Sequence, residues 1–415
     1  MSRTVSPSQT GVVRLPSTSI SIDRTTLRRD TPGCESVIHL NNAGAGLVSS
    51  AVTQRMIKHL LREEEIGGYE AADEIANEWA QGKSEIADFV GTQAHNVALV
   101  ESTTVGFHRV LSTLPLRRGD RILVASSEYA STVLPLLQLS RRIGIRVEFI
   151  PDSESTDTAG TVDLAAFDRM LDDSVRLVCA VHAPSHNGLV NDIIGMGDIL
   201  RARGLPAWFV VDACQSIGQL PVDVAAMNAD FLVASGRKFL RGPRGSGVLV
   251  VGDRALAQLD AFPVDIAGAS WVHSDDFHTQ PGARRYETYE RSVAVGLGLM
   301  TATRYANSLG IATIAERISR HAEYLRSHIG ALAGWSVLDR GRRRSGIVTV
   351  RHHTITAEQA ALHLKSRNVN THVVSATTNP RDLGNRPVLR LSPHIFNTPS
   401  ELDFTVNLLA QLADH

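Results

Sequence analysis

The chain has 415 residues, with 42 Lys and Arg against 43 Asp and Glu and a formal charge of -1. That length buries a large core and suits two domains, while the charge balance excludes a nucleic-acid groove or an anionic membrane surface and leaves only a local anion site open. The three cysteines, Cys34, Cys179 and Cys214, form no C-x-x-C pair, so no metal site is expected. Neither an apolar signal core nor an apolar run of roughly eighteen residues is present, which points to a cytoplasmic protein.

Residues 1–36, with "SPSQTG" and "LPSTSISI", read as an arm or a strap, with the option that this segment packs on the C-terminal domain. From Val37 onward, strand-length apolar runs recur at Val97–Val100, Arg121–Ala125, Ile145–Ile150, Val175–Val181, Trp208–Val211, Phe231–Ala234 and Gly247–Val251. Helix-length segments lie between many of them, at Thr104–Thr113, Ser131–Ile143, Asp163–Leu171 and Ile193–Arg203. This alternation predicts an α/β fold with a mostly parallel sheet covered on both faces. "GVLVV" follows the preceding run too soon for a helical crossover, so it is expected as an antiparallel edge or hairpin strand. The large domain is placed at 37–292. A helix over Val293–Asn307 then leads into a smaller α+β domain, 293–415, with a strand in "SGIVTV", a helix over Thr356–Arg367 and a last helix entered through Thr398, Pro399 and Glu401.

Lys238 lies in the loop "SGRKFLRGPRGSG", just after a strand, and reads as a surface charge, an anion clamp or a covalent catalyst. Asp212, at the end of "AWFVVD", is either a helix cap or a ligand group at the carboxyl end of a parallel strand. Together they suit a pyridoxal-phosphate site, which needs an amine for the aldehyde and an acid for the ring nitrogen. Ser102, Thr103 and Thr104 open a helix and serve either as a simple N-cap or as an anion cradle, with Ser235 and Arg237 as further donors. Tyr129 is a ring-stacking candidate or an ordinary packed tyrosine. Ser185 could donate to a phenolic oxygen, and His182 stands between a structural histidine and a proton carrier. His182 and His186 lack a third ligand and do not make a metal site.

The stretches "DACQSIGQLPVDV", "SGRKFLRGPRGSGVL" and "RRYETYE" resemble the class V aminotransferases, fold-type I pyridoxal-phosphate enzymes, from Ile38 to Asp403. The resemblance implies a large domain with a mostly parallel seven-stranded sheet, a small C-terminal domain, and a homodimer with its active sites at the subunit boundary. It makes Lys238 the cofactor-binding lysine and Asp212 the ring-nitrogen partner. Gln215 and Ser185 would face the phenolic oxygen, Tyr129 would stack on the ring, and Thr103, Thr104, Ser235 and Arg237 would hold the phosphate. Arg390 in "VLRLSPHIFNT" would grip the α-carboxylate of an amino-acid substrate, with Asn42, His182 and Tyr289 completing the substrate side.

Three departures from the family pattern narrow the expected reaction. No cysteine follows Cys214, so the loop "NVNTHVVSATTNPRDLGNRP" has no nucleophilic thiol of the kind cysteine desulfurases use. Tyr289 and Glu290 replace the glycine–threonine pair that many relatives lend to the partner's phosphate. Arg237, Arg241 and Arg244 crowd the lysine loop and could recognise a second anionic part of a substrate. The chain is therefore similar to isopenicillin-N-epimerase-like proteins and hercynylcysteine sulfoxide lyases rather than to true cysteine desulfurases. The expected activity is β-elimination from an S-substituted cysteine, in secondary metabolism. Transamination, decarboxylation-coupled deamination, epimerisation and a catalytically silent binding protein are the alternatives.

Overall fold

The computed structural model describes residues 23–384 and 386–413, so residues 1–22 of the expected arm lie outside the described residues. Strands are numbered in chain order. A short β1 (Ile38–His39) precedes β2 (Val97–Val100), β3 (Arg121–Ala125), β4 (Arg146–Ile150), β5 (Val175–Val181), β6 (Trp208–Asp212), β7 (Phe231–Ser235) and β8 (Gly247–Val251). The last seven form one sheet in the order β2-β8-β7-β6-β5-β3-β4. All pairs are parallel except those of β8, which runs antiparallel to both β7 and β2. The antiparallel sense of "GVLVV" is as expected and the hairpin with β7 holds, but the edge alternative is corrected. The apolar β2 covers its outer side, so β8 lies inside the sheet.

Both faces of this sheet are buried, which is why its strands read as continuous apolar runs rather than alternating ones. Ile122, Val124, Cys179, Val210 and Val233 pack on one face with Phe107 and Leu136 from the helices Thr103–Thr113 and Ala130–Ile143. Leu123, Ala125, Val178, Phe209 and Leu232 pack on the other face with Phe167, Met196 and Leu297. Each buried side chain of that size contributes about 1.5–3 kcal/mol. The exposed hairpin β9 (Ala269–His273) and β10 (Asp276–Thr279) had no clear signal in the sequence.

The second unit is a four-stranded antiparallel sheet in the order β11-β12-β15-β14, formed by Trp335–Val337, Val348–His352, Val388–Leu391 and His372–Val374. Helices Ile311–Gly330, Ala357–Lys365 and Pro399–Ala413 pack beside it around Leu325, Val350, Leu364, Leu389 and Leu409. The last helix opens with the reciprocal cap foreseen in the sequence. The Thr398 hydroxyl accepts from the Glu401 N–H at 3.2 Å, and the Glu401 carboxylate accepts from the Thr398 N–H at 3.0 Å. The N-terminal segment joins this unit, since β1 pairs in parallel with β13 (Val369–Asn370) and Arg28 bonds Glu401 at 2.7 Å. No helix among the described residues is long and apolar enough to cross a membrane.

One buried ion pair fixes this unit against the large sheet. Arg326 bonds Asp339 at 2.8 Å and also donates to the carbonyls of Ser345 and Ile347. The other Asp339 oxygen accepts from the Gly188 N–H, in the loop that follows β5. Removing one partner strands the other charge away from water. Arg326→Ala is therefore expected to destabilise the protein by about 3–5 kcal/mol, read as a lower urea midpoint in equilibrium unfolding.

Candidate active site

A cavity with about 630 Å³ of empty space, its open mouth included, lies at the C-terminal ends of β5, β6 and β7. Open α/β sheets place ligands at such strand ends. Thr103, Thr104, Tyr129, Ser185, Asp212, Gln215, Ser235, Arg237 and Lys238, the whole expected cofactor set, line it together. Ser102 caps the helix Thr103–Thr113 by accepting from Val105 N–H at 3.2 Å. Capping therefore falls to Ser102, which frees the two threonines for the cavity. The Thr103 N–H and hydroxyl meet the Ser235 hydroxyl at 3.0 and 2.8 Å, so β7 and the helix entrance form one polar corner.

Lys238 is only 8 % exposed, and its Nζ lies 5.9 Å from the centre of the Tyr129 ring. The loop carrying it is pressed against the "NNAGAG" segment. Gly46 N–H donates to the Arg237 carbonyl at 2.8 Å, and a Cβ on Gly46 would stand 2.5 Å from the Lys238 carbonyl oxygen. Only glycine permits that approach. Arg237 also donates to the Gly44 carbonyl. Asp212 accepts from the Cys214 N–H at 2.7 Å. Burial pushes its carboxyl above the usual range, and the Lys238 charge pulls it part of the way back.

Arg390, on β15, is 4 % exposed. Its guanidinium donates to the Ser185 carbonyl at 2.8 Å and to the Asn41 side chain at 3.3 Å, its Nε has no partner, and no carboxylate among the described residues pairs with it. Burial lowers its pKa to about 10.

The remaining expected residues lie outside the cavity lining. Asn42 is buried and donates to the Ser392 carbonyl at 2.8 Å. Tyr289 is 49 % exposed and faces Tyr69, with ring centres 6.5 Å apart, so its expected place at the substrate is not realised within one chain. Two of the three arginines are also corrected. Arg241 is buried, donates to Leu47 O and Thr31 Oγ1, and lies over the rings of Tyr305 and Phe396, so its charge is spent on packing. Arg244 is exposed and does not reach the cavity wall. Arg285, in the "RRYETYE" stretch, donates to Leu256 O within its own chain.

Two residues that matter here were not singled out from the sequence. Glu128 is buried immediately before Tyr129, and Asn379 donates to the carbonyls of Ser126 and Glu128 at 2.8 and 3.0 Å. An acid directly after an apolar strand was a usable signal for Glu128. Asn379 lies more than two hundred residues away and carried none.

Residues 38–404 match the family described as aminotransferase class-V. The chain belongs to this family. A probable cysteine desulfurase of Pyrococcus abyssi is 27 % identical over 300 residues, covering 70 % of this chain and 72 % of that one. A probable hercynylcysteine sulfoxide lyase of Mycobacterium tuberculosis is 28 % identical over 91 % and 90 % of the two chains. The solved structure of a cysteine desulfurase from Thermococcus onnurineus NA1 has the same fold, with a TM-score of 0.85 at 23 % identity over 94 % and 98 %. Cysteine desulfurases make up most of the sequence relatives and stand among the structural neighbours, which overturns the expected placement beside the epimerase-like and sulfoxide-lyase-like subgroup. A missing thiol in one loop is a local difference, whereas kinship is spread over the whole family match.

Membership makes the protein an enzyme rather than a silent binder. The family's cofactor, pyridoxal phosphate, fits the residues present. The buried Ser185 Oγ and Gln215 Oε1 have no partner, the Lys238 amine makes no hydrogen bond or ion pair among the described residues, and the Thr103–Ser235 corner offers donors to an anion.

His182, 2 % exposed, has its imidazole pushed down to about 3 by burial, with the Arg343 charge adding to the effect. Burial thus favours the neutral ring, and His182 lies outside the cavity lining. A depressed histidine stabilises the fold above its unfolded value of 6.5 and loses that contribution as pH falls toward about 3. NMR of the His182 ring is expected to show no titration between about pH 5 and 8, where an ordinary histidine changes charge.

Proposed function

We propose that the enzyme is a pyridoxal-phosphate-dependent carbon–sulfur lyase that performs β-elimination on an S-substituted cysteine. The observation carrying this reading is that an unpaired buried arginine, Arg390, stands beside the Lys238 cavity while the segment Ser375–Gly384 offers no thiol. All three cysteines are buried. Burial raises the thiol pKa of Cys34 and Cys179, and Cys214 lies on the cavity wall. The substrate's sulfur therefore leaves with its own substituent instead of passing to a loop cysteine. Kinship with cysteine desulfurases and with a sulfoxide lyase supports a cysteine derivative as substrate.

In this reading Lys238 would bind the cofactor aldehyde, Asp212 would hold the ring nitrogen protonated, and the Thr103, Thr104, Ser235 and Arg237 corner would take the phosphate. Tyr129 would lie against the ring, with Ser185 and Gln215 on the side of the phenolic oxygen. When bound, pyridoxal phosphate supplies an electron sink for a carbanion at Cα. Arg390 grips the α-carboxylate through a two-pronged guanidinium contact and fixes Cα relative to Lys238. Lys238 Nζ would take the Cα proton. The Cβ–S bond then breaks, the electron pair leaves with sulfur, and a proton makes it a thiol. The remaining 2-aminoacrylate takes up water to give pyruvate and ammonia. Asn42, His182 and Tyr289 lie outside the cavity wall and are left without a direct role.

A homodimer is part of the same proposal. Trp271 and Phe277 are cross-strand partners on the exposed hairpin, both open to water, and Phe262 and Ile266 are exposed just before it. An apolar group of that kind suits a covered surface. Light scattering of active protein is expected to give a dimer, and a fully active monomer would remove this part.

The reaction is tested with a panel of S-substituted cysteines read by mass spectrometry. Stoichiometric thiol, pyruvate and ammonia are expected. A product that keeps its carbon–sulfur bond, or a persulfide accumulating on Cys214, would overturn the elimination. Borohydride reduction of loaded protein is expected to fix the cofactor on Lys238. Arg390→Ala is expected to lower kcat/KM on the order of a hundredfold, since losing a charged hydrogen-bonding partner costs about 1.5–3 kcal/mol or more.

A further inference from the structure

Glu128 ends the turn after β3 and takes no part in the reaction above. It is 2 % exposed; one carboxyl oxygen accepts from the Tyr129 N–H at 3.1 Å and the other, Oε2, is buried without a partner. β3 and β6 flank β5 in the sheet, and the Cα partner of Asp212 across β5 and β6 is Val181, at the end of β5. The turn that carries Glu128 and the strand that ends in Asp212 thus stand on the two sides of β5, at its C-terminal end. The groups acting on Glu128 are Asp212 from β6, the Thr132 hydroxyl from helix Ala130–Ile143, and the amides of Tyr129 and Val181, while Cys179 on β5 feels its charge. Lys238 acts on Asp212 and makes no ion pair with Glu128. Like charges in a water-free site do not both ionise.

We propose that Glu128 is a positioning residue that stays protonated beside an ionised Asp212, so that the inner end of the pocket carries one negative charge instead of two, while its carboxyl oxygen holds the Tyr129 backbone in place. The proposal rests on the reading of Asp212 as the ring-nitrogen partner, because a single charge there matches a single protonated nitrogen. Burial, and then the Asp212 charge, push the Glu128 carboxyl up to about 8. The anchoring is completed from the small domain, where Asn379 donates to the Glu128 carbonyl at 3.0 Å. Turn, ring and second carboxyl are therefore held as one unit.

The test is the infrared difference spectrum between wild-type protein and Glu128→Gln, recorded without added cofactor. At pH 7 a protonated-carboxyl band is expected in the wild type and absent in the variant, and it should fade as pH rises through about 8. Because the folded value lies above the unfolded 4.5, the stabilising proton is fully in place below about 4.5 and is lost as pH rises through about 8. The melting temperature of Glu128→Gln should therefore gain on that of the wild type across this window and run parallel above it. If the glutamine variant does not fold, Asp212→Asn carries the test. Removing the neighbouring charge should move the fading of the wild-type Glu128 band to lower pH. No protonated band at pH 7, or a band whose titration ignores Asp212, overturns the proposal. In the loaded protein, the absorption band of bound cofactor should show an alkaline transition that Glu128→Gln removes. If infrared and stability results stand while that transition is unchanged, the proton is present but the link to the ring nitrogen fails, and with it the assigned role of Asp212.

Discussion

The site is built on ionisable groups buried without ion-pair partners. Asp212, Lys238, Glu128 and Arg390 are nearly closed to water, and none makes an ion pair among the described residues. Each isolated buried charge costs several kcal/mol unless it is neutralised or hydrogen-bonded. The fold accommodates them through fixed backbone groups: Cys214 N–H on Asp212, Tyr129 N–H on Glu128 and the Ser185 carbonyl on Arg390. Such groups cannot turn away, so the pocket keeps an unmatched field for a zwitterionic substrate and a charged ring. Preorganisation of this kind is the largest lever a protein has on developing charge.

That field requires two separately packed units to stay in register. Lys238 and Asp212 come from the large sheet, and Arg390 comes from β15 of the small one. Three buried connections tie the units together. Arg326 and Asp339 hold Gly188 and the rim beyond β5. Asp382 meets the His186 ring at 2.8 Å and the Asn187 amide at 2.5 Å, and also pairs with Arg340. Asn379 reaches the turn before Tyr129. All three grip loops that carry cavity residues, so the interface sets distances inside the site rather than only joining domains.

The sheet was legible in the sequence because its strands are buried on both faces and stand out as apolar runs between helix-length segments. The Lys238, Asp212 and Thr103 elements were legible because strand ends and helix starts are where such chemistry has to sit. What the sequence hid was direction and distance. Arg241 looked like a site arginine from its neighbours, yet a left-handed backbone at φ 62 sends it to Thr31 and the Tyr305 and Phe396 rings. The choice between edge and hairpin for β8 was left open because strand order depends on β2, more than a hundred residues earlier; the hairpin with β7 holds. Short strands such as His372–Val374 carry too little periodicity to be seen. Asn379 and Glu128 meet only in the folded chain.

The segment from Ser375 to Gly384 is held by fixed contacts. It places Asn379, which caps the turn Pro380–Leu383 through Arg381 and Asp382 N–H and at the same time binds two carbonyls of the large domain. Arg381 lies 4.1 Å from the centre of the Phe149 ring, and Asp382 is held from three sides. A loop that delivers a nucleophile has to approach the substrate and withdraw again, so it needs few fixed contacts. This segment has fixed contacts along most of its length, at the turn beside Tyr129 and at the loop that carries Ser185. In the proposed reaction the segment therefore delivers no nucleophile, and the sulfur would leave Cβ with the substituent it came with.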